Sequence, residues 1–244
     1  MKDITDILDG WEYEPQRISV RKIMGDDGKV KIQLRLDLGL LQMETEGRPD
    51  GTRPYGEESL LDYYQTLLEE RGAEQFELDP EDCARLRMES MQYYHRRISF
   101  FELREYAAAA RDAEHNLRIM DLINEYAREK SDRAASEQYR AFVLMHRTQA
   151  LTSVLLERKD FEGALRHIDE GIEEIERFLR EYGREEMIGE TQELRFLRRW
   201  REEIQKNKPR SLRDELEKRL QEAVEREEYE RAAKLRDMIR GMEE

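Results

Sequence analysis

One short phrase recurs three times between stretches of helical periodicity: an acidic residue, an aromatic, two further residues, then alanine. It reads Glu105-Tyr106 with Ala109, Asp160-Phe161 with Ala164, and Glu228-Tyr229 with Ala232. Around the first, Met91, Tyr94, Ile98 and Phe101 precede the turn Leu103-Arg104-Glu105-Tyr106, and Ala109, Ala113, Leu117, Met120 and Ile123 follow it. Around the second, Phe142, Met145, Gln149 and Leu156 precede Arg158-Lys159-Asp160-Phe161, and Ala164, Ile168, Ile172, Ile175 and Phe178 follow. Apolar residues three and four apart make one face of a helix. An aromatic just past a turn packs back on the first helix, and the alanine lets the two helices approach closely. The pattern predicts antiparallel helical hairpins, each exposing an apolar side that a neighbour must cover.

Composition decides whether these helices form at all. Charged residues make up 41% of the 244, which raises the alternative of a disordered chain. Periodic apolar positions and only five prolines argue for helices with solvated faces instead. The net charge of -14 disfavours nucleic acid as a partner of the whole chain. No apolar run is long enough for a membrane span, and the polar opening Met1-Lys2-Asp3-Ile4-Thr5-Asp6 does not read as a signal peptide. A cytoplasmic protein is expected.

The first part reads as β. Arg17–Met24 leads into the turn Gly25-Asp26-Asp27-Gly28. Strict alternation follows, with Val30, Ile32, Leu34, Leu36, Leu38 and Leu40 on one face and Lys31, Gln33, Arg35 and Asp37 on the other. This predicts a β-hairpin with one buried face. A lone hairpin is unstable in water, so this face needs the chain's own helices, which is the favoured reading, or a second copy in a homodimer. Gly47-Arg48-Pro49-Asp50-Gly51-Thr52-Arg53-Pro54-Tyr55-Gly56 is a loop of consecutive turns. Arg48 and Arg53, with glycine-freed amides, are candidate anion-binding residues; a connecting loop is the plainer reading. Beyond it, Ser59 is the expected N-cap of a helix closed by Gly72, and Asp79-Pro80 starts the next.

The two central hairpins superpose with an offset of 55 residues, Tyr106 on Phe161 and Ala109 on Ala164. Over roughly residues 82–182 this resembles a tetratricopeptide array, most closely at Lys159-Asp160-Phe161-Glu162-Gly163-Ala164-Leu165. The period departs from the 34 residues of that family. The small residue expected inside the first helix is missing, with Arg97 nearby, so the helices must be longer and no concave groove is implied. A further helix with Leu194, Leu197, Trp200 and Ile204 would cap the open end.

Lys206-Asn207-Lys208-Pro209 is a basic linker. After it Leu212, Leu216, Leu220, Ala223 and Val224 line one helix face, Glu227-Glu228 turn, and Tyr229, Ala232, Ala233, Leu235, Ile239 and Met242 line the return helix. Leu216-Glu217-Lys218 through Ala223-Val224, then Glu228 through Asp237 and Ile239, closely resemble the UVR motif. That motif is shared by the bacterial excision-repair proteins UvrB and UvrC, Clp-type unfoldases, and the activator of the protein arginine kinase. The resemblance implies a protein contact through Leu216, Leu220, Tyr229, Ala232, Leu235, Arg236 and Ile239, with another UVR hairpin or an unfoldase or repair subunit. It does not imply repair activity. The alternative is that the hairpin packs as a last repeat on its own array.

Other side chains carry weaker signals. His95, His115, His146 and His167 have no second ligand at metal-binding spacing, Cys83 has no local activating partner, and no nucleophile elbow, Walker loop or dinucleotide fingerprint occurs. No metal or cofactor is expected. Arg195, Arg198, Arg199, Arg201, Lys206, Lys208, Arg210 and Arg213 with Trp200 form a basic stretch that is a candidate nucleic-acid contact, diluted by Glu202 and Glu203. The expectation is a mainly α protein: a β-hairpin and loop over 1–56, a tetratricopeptide-like array over 57–206, and a UVR-like hairpin over 207–244. Its expected role is that of a non-enzymatic bacterial adaptor, which the resemblance places in Clp-type proteolysis or DNA repair. The alternatives are nucleic-acid association through 195–213 and an enzyme using the Gly47–Gly56 loop.

Overall fold

The computed structural model describes residues 3–209 and 212–240; the side chains of 212–215, 217 and 218 also lie outside that description. The fold is mainly α, with a three-stranded antiparallel sheet near the N-terminus. Two compact units divide between Arg201 and Glu202.

A four-residue helix α1 (Thr5–Leu8) precedes strands β1 (Val20–Met24), β2 (Val30–Leu36) and β3 (Gly39–Glu44), in sheet order β1-β2-β3. The alternation expected to run on through Leu40 breaks at Asp37-Leu38, where the chain reverses with Leu36 opposite Gly39. A two-residue reversal shifts the parity of the inward face. Ile32 sits opposite Met43 and Leu34 opposite Leu41, so odd-numbered residues of β3 join even-numbered residues of β2. Leu38 is left almost fully exposed at the tip. The apolar face, with Ile32, Leu34 and Met43, packs on Phe100, Ala109, Ala110 and Ala150 of the chain's own helices. On the opposite face Arg21 donates from Nε to Gln33 Oε1 at 2.8 Å and Gln33 donates to Gln42 at 3.0 Å. The Trp11 ring covers this ladder, lying 4.0 Å from the Arg21 guanidinium.

Helix α2 (Leu60–Arg71) starts as expected at Ser59, whose side chain accepts from the Asp62 amide, and ends at Gly72 with φ 76°. Helix α3 (Pro80–Glu102) starts at a capping box made by Asp79 and Asp82. Helices α4 (Tyr106–Tyr126), α5 (Lys130–Glu137), α6 (Arg140–Glu157), α7 (Phe161–Glu181) and α8 (Gln192–Asn207) follow. The main packings are α3 on α4, α4 on α6 and α6 on α7. The 55-residue offset holds at the turns: α3 and α6 end at Glu102 and Glu157, and α4 and α7 run Tyr106–Tyr126 and Phe161–Glu181. The intervening α5 lengthens the period.

Each recurring phrase closes the same turn. Arg104, Lys159 and Glu227 have φ of 58°, 60° and 60°. In each case the next amide reaches back to a carbonyl five residues earlier: Glu105 to Phe100, Asp160 to Leu155, and Glu228 to Ala223. This pair of left-handed residue and long return bond is the Schellman termination. The alanines after it, Ala109 and Ala164, have no exposed surface. On α7, Gly171 marks a close approach to α6, since a Cβ there would lie 2.2 Å from Thr148 Oγ1.

Candidate functional site

The second unit holds the C-terminal hairpin, α9 (Leu212–Glu225) and α10 (Tyr229–Arg240). Leu216, Ala223, Ala232 and Leu235 form its buried cluster, with Leu220 and Ile239 packed at the edge. Of the residues expected to reach a partner, Leu216, Ala232 and Leu235 thus hold the two helices together. Tyr229 is 68% exposed and Arg236 is also exposed, its guanidinium beside Asp237 at 2.8 Å. Val224 and Met238 are further large apolar side chains open to solvent. Leu212 contributes to α9, but its side chain, like Met242, lies outside the described residues.

Among the described residues the cluster holds four buried side chains. Residues 210–244 match the UvrB/uvrC motif. The UVR match spans both helices and the turn, and such motifs occur in settings of protein and DNA interaction. Neither the curated proteins nor the solved structures contain a match to this chain.

The other candidate residues sit in different surroundings. Arg198 donates to Glu176 at 2.7 Å and to the Ile188 carbonyl, and Arg201 grips Asp169 at 2.5 and 3.0 Å. Arg199 and Lys208 also have interactions, Lys206 is exposed, and Arg210 lies outside the described residues. Arg198 and Arg201 are thus paired with acidic neighbours of the first unit.

Arg48 is held by its own chain: Nη1 donates to Thr52 Oγ1 at 2.9 Å, and the guanidinium meets Asp50 and the fully buried Glu89 at 3.4 and 3.2 Å. Arg53 donates to the Gly56 carbonyl at 3.3 Å. The hollow beside them is also lined by Asp27, Glu44, Glu46 and Glu58, carboxylates that oppose an anion. Among the described residues no group of His, Cys, Asp and Glu could hold a metal ion, and no helix is long and apolar enough to cross a membrane. Burial pushes the Cys83 thiol up to about 11, away from the range of a reactive thiolate.

A buried polar assembly inside the first unit was not foreseen from the sequence. Arg96 makes a two-pronged bond to Asp112, 2.8 Å on each arm, and donates to the carbonyls of Glu44 and Gly47. Glu89 accepts from the Leu60 and Leu61 amides and faces His115 at 3.1 Å. These contacts tie the Gly-rich loop and α2 to the α3–α4 hairpin. Helical periodicity alone places Arg96 and Glu89 on a face but cannot distinguish a solvated charge from a buried one.

Proposed function

We propose that this chain is a protein-interaction component whose UVR hairpin docks on a protein partner, the rest of the chain serving as a helical platform. The observation that carries the reading is the UvrB/uvrC match over a separate compact unit, supported by apolar side chains left open on that unit. Its partner class is another UVR hairpin, including that of a second copy, or a subunit of a Clp-type unfoldase or repair complex. The surroundings of Arg198 and Arg201 speak against the basic stretch as the main contact.

The test compares the full chain, a chain ending at residue 207, and the full chain carrying Tyr229→Asp in sedimentation and in capture from bacterial cytoplasm. Capture of one defined protein by the full chain alone, reproduced with the purified partner and weakened by Tyr229→Asp, supports docking through the hairpin. Self-association lost on truncation selects the second copy. Identical behaviour of all three chains refutes the reading.

A further inference from the structure

Between α3, α4 and the start of α6 lies a cavity of about 290 Å³, with mostly apolar walls that include Met91, Met120 and Phe142. At its rim Met91 and Tyr139 are more than half exposed, while Arg97, which also lines it, is only 1% exposed. Arg97 is the anomaly. Its Nε and Nη1 have no hydrogen-bond partner, and its guanidinium lies over the rings of Tyr94 at 5.6 Å and Phe142 at 6.0 Å. Cation–π contact does not replace the five donors that a guanidinium presents. The nearest carboxylate, Asp112, is already engaged on both oxygens by Arg96. Burial accordingly lowers the Arg97 pKa to about 10.

A second orphan lines the same cavity. Asn116 donates from Nδ2 to the Ser90 carbonyl at 3.2 Å, which fixes the amide orientation and leaves Oδ1 buried without a donor. Buried polar groups are normally satisfied. One unsatisfied cation and one unsatisfied acceptor around an apolar cavity describe the complement of a specific molecule.

We propose that this cavity binds a small organic carboxylate whose apolar body carries one hydrogen-bond donor. The carboxylate would accept from the Arg97 guanidinium, and the donor would serve Asn116 Oδ1. A single guanidinium neutralises one negative charge, and no second cation lines the cavity, so a phosphate dianion would remain in excess. The apolar lining favours an aromatic or aliphatic body over a sugar.

Titration calorimetry on the full chain tests this with indole-3-acetate and 3-(4-hydroxyphenyl)propanoate as probes, indole-3-acetamide as the uncharged analogue and inorganic phosphate as the anion without a body. The expected result is one-to-one binding of at least one acid, at least tenfold weaker for the amide, and none for phosphate. Arg97→Met is expected to abolish binding while melting no lower than the unliganded parent, because it removes an unpaired buried charge and fills apolar space. Silence from both acids, equal binding of acid and amide, or binding that survives Arg97→Met overturns the proposal. If Arg97→Met fails to fold, Asn116→Leu replaces it, with weakened acid binding expected and unchanged binding counting against the site.

Discussion

Replacing Asp112 by asparagine keeps the shape of the side chain and deletes the charge that faces Arg96. In the parent, Asp112 has no exposed surface, and both its oxygens meet the Arg96 fork at 2.8 Å. Arg97 lies on the same helix, equally buried and without hydrogen bonds from Nε or Nη1. Asp112→Asn therefore leaves two guanidiniums sharing one interior with no carboxylate engaged between them. Removing one member of a buried pair costs about 3–5 kcal/mol. A total stability of about 5–15 kcal/mol makes that a large fraction. At about 2–4 °C per kcal/mol for a unit of this size, Tm should fall by about 6–20 °C. Circular dichroism at 222 nm reads the melt, with urea unfolding as a check that the slope is unchanged. The double variant Arg96→Met with Asp112→Leu should recover part of the loss, because a packed apolar pair replaces a buried ionic one at little cost. Recovery should be incomplete, since the Glu44 and Gly47 carbonyls lose their donor. A single variant melting within about 2 °C of the parent, or a double variant melting lower still, refutes the claim that this pair secures the core.

Three further outcomes follow from local geometry. Gly171→Ala places a Cβ 2.2–2.8 Å from Thr148; overpacking of this kind costs about 1–3 kcal/mol, and adding Thr148→Ala should return part of it in a thermal melt. Lys159→Gly relieves a left-handed backbone at φ 60°; a strain of about 1–2 kcal/mol, less about 0.5–1 for the freer unfolded glycine, should raise Tm by about 1–4 °C, whereas Lys159→Val should lower it. Burial, with Arg97 nearby, pushes His146 down to about 3 from an ordinary 6.5, so the native state holds it neutral while the unfolded chain takes up a proton. Its contribution is complete above pH about 6.5 and drains away towards pH about 3; His146→Leu should flatten that part of the pH–stability curve measured by urea unfolding, and an unchanged curve would show that other groups, such as the half-buried His95, whose pKa burial also lowers, set the slope.

The helical hairpins were legible because their signal is local. The aromatic and the alanine after each turn have fixed spacing, and the same return hydrogen bond follows from it in all three cases. The caps at Ser59, Gly72 and Asp79 were legible for the same reason. The sheet was read correctly as antiparallel and amphipathic, yet its third strand was absorbed into the second. A two-residue reversal leaves no glycine or proline at Asp37-Leu38, and Leu38 and Leu40 continue the period-two pattern by coincidence. The buried charges were not legible at all. Arg96, Arg97 and Asp112 look like any other charged positions in a chain where 41% of residues are charged. Their burial depends on how α3 meets α4 and α6, which is long-range information.

The common turn makes the three hairpins comparable, and the comparison bears on function. In the first unit, α4 packs against both α3 and α6, and Ala109, Ala113, Leu117, Met120 and Ile123 are buried along it. Helix α7 is likewise buried at Ala164, Leu165, Ile168, Ile175 and Leu179. In α10 the buried side chains are Ala232 and Leu235, while Tyr229, at the position of the half-buried Tyr106 and Phe161, is exposed. The sequence grammar that places an aromatic just after the turn is therefore the same, but in the second unit that aromatic is 68% exposed. A solvent-exposed aromatic retained at a packing position is costly to keep as decoration and useful as an anchor, because tyrosine brings large area with little rotamer entropy to an interface. This argument turns on Tyr229 alone. Tyr229→Ala should leave the melt of the isolated protein within about 0.5 kcal/mol of the parent and weaken partner binding by more than about 1 kcal/mol. A variant that loses stability without losing affinity would make the aromatic an element of folding and remove the strongest structural reason for reading the hairpin as a docking surface.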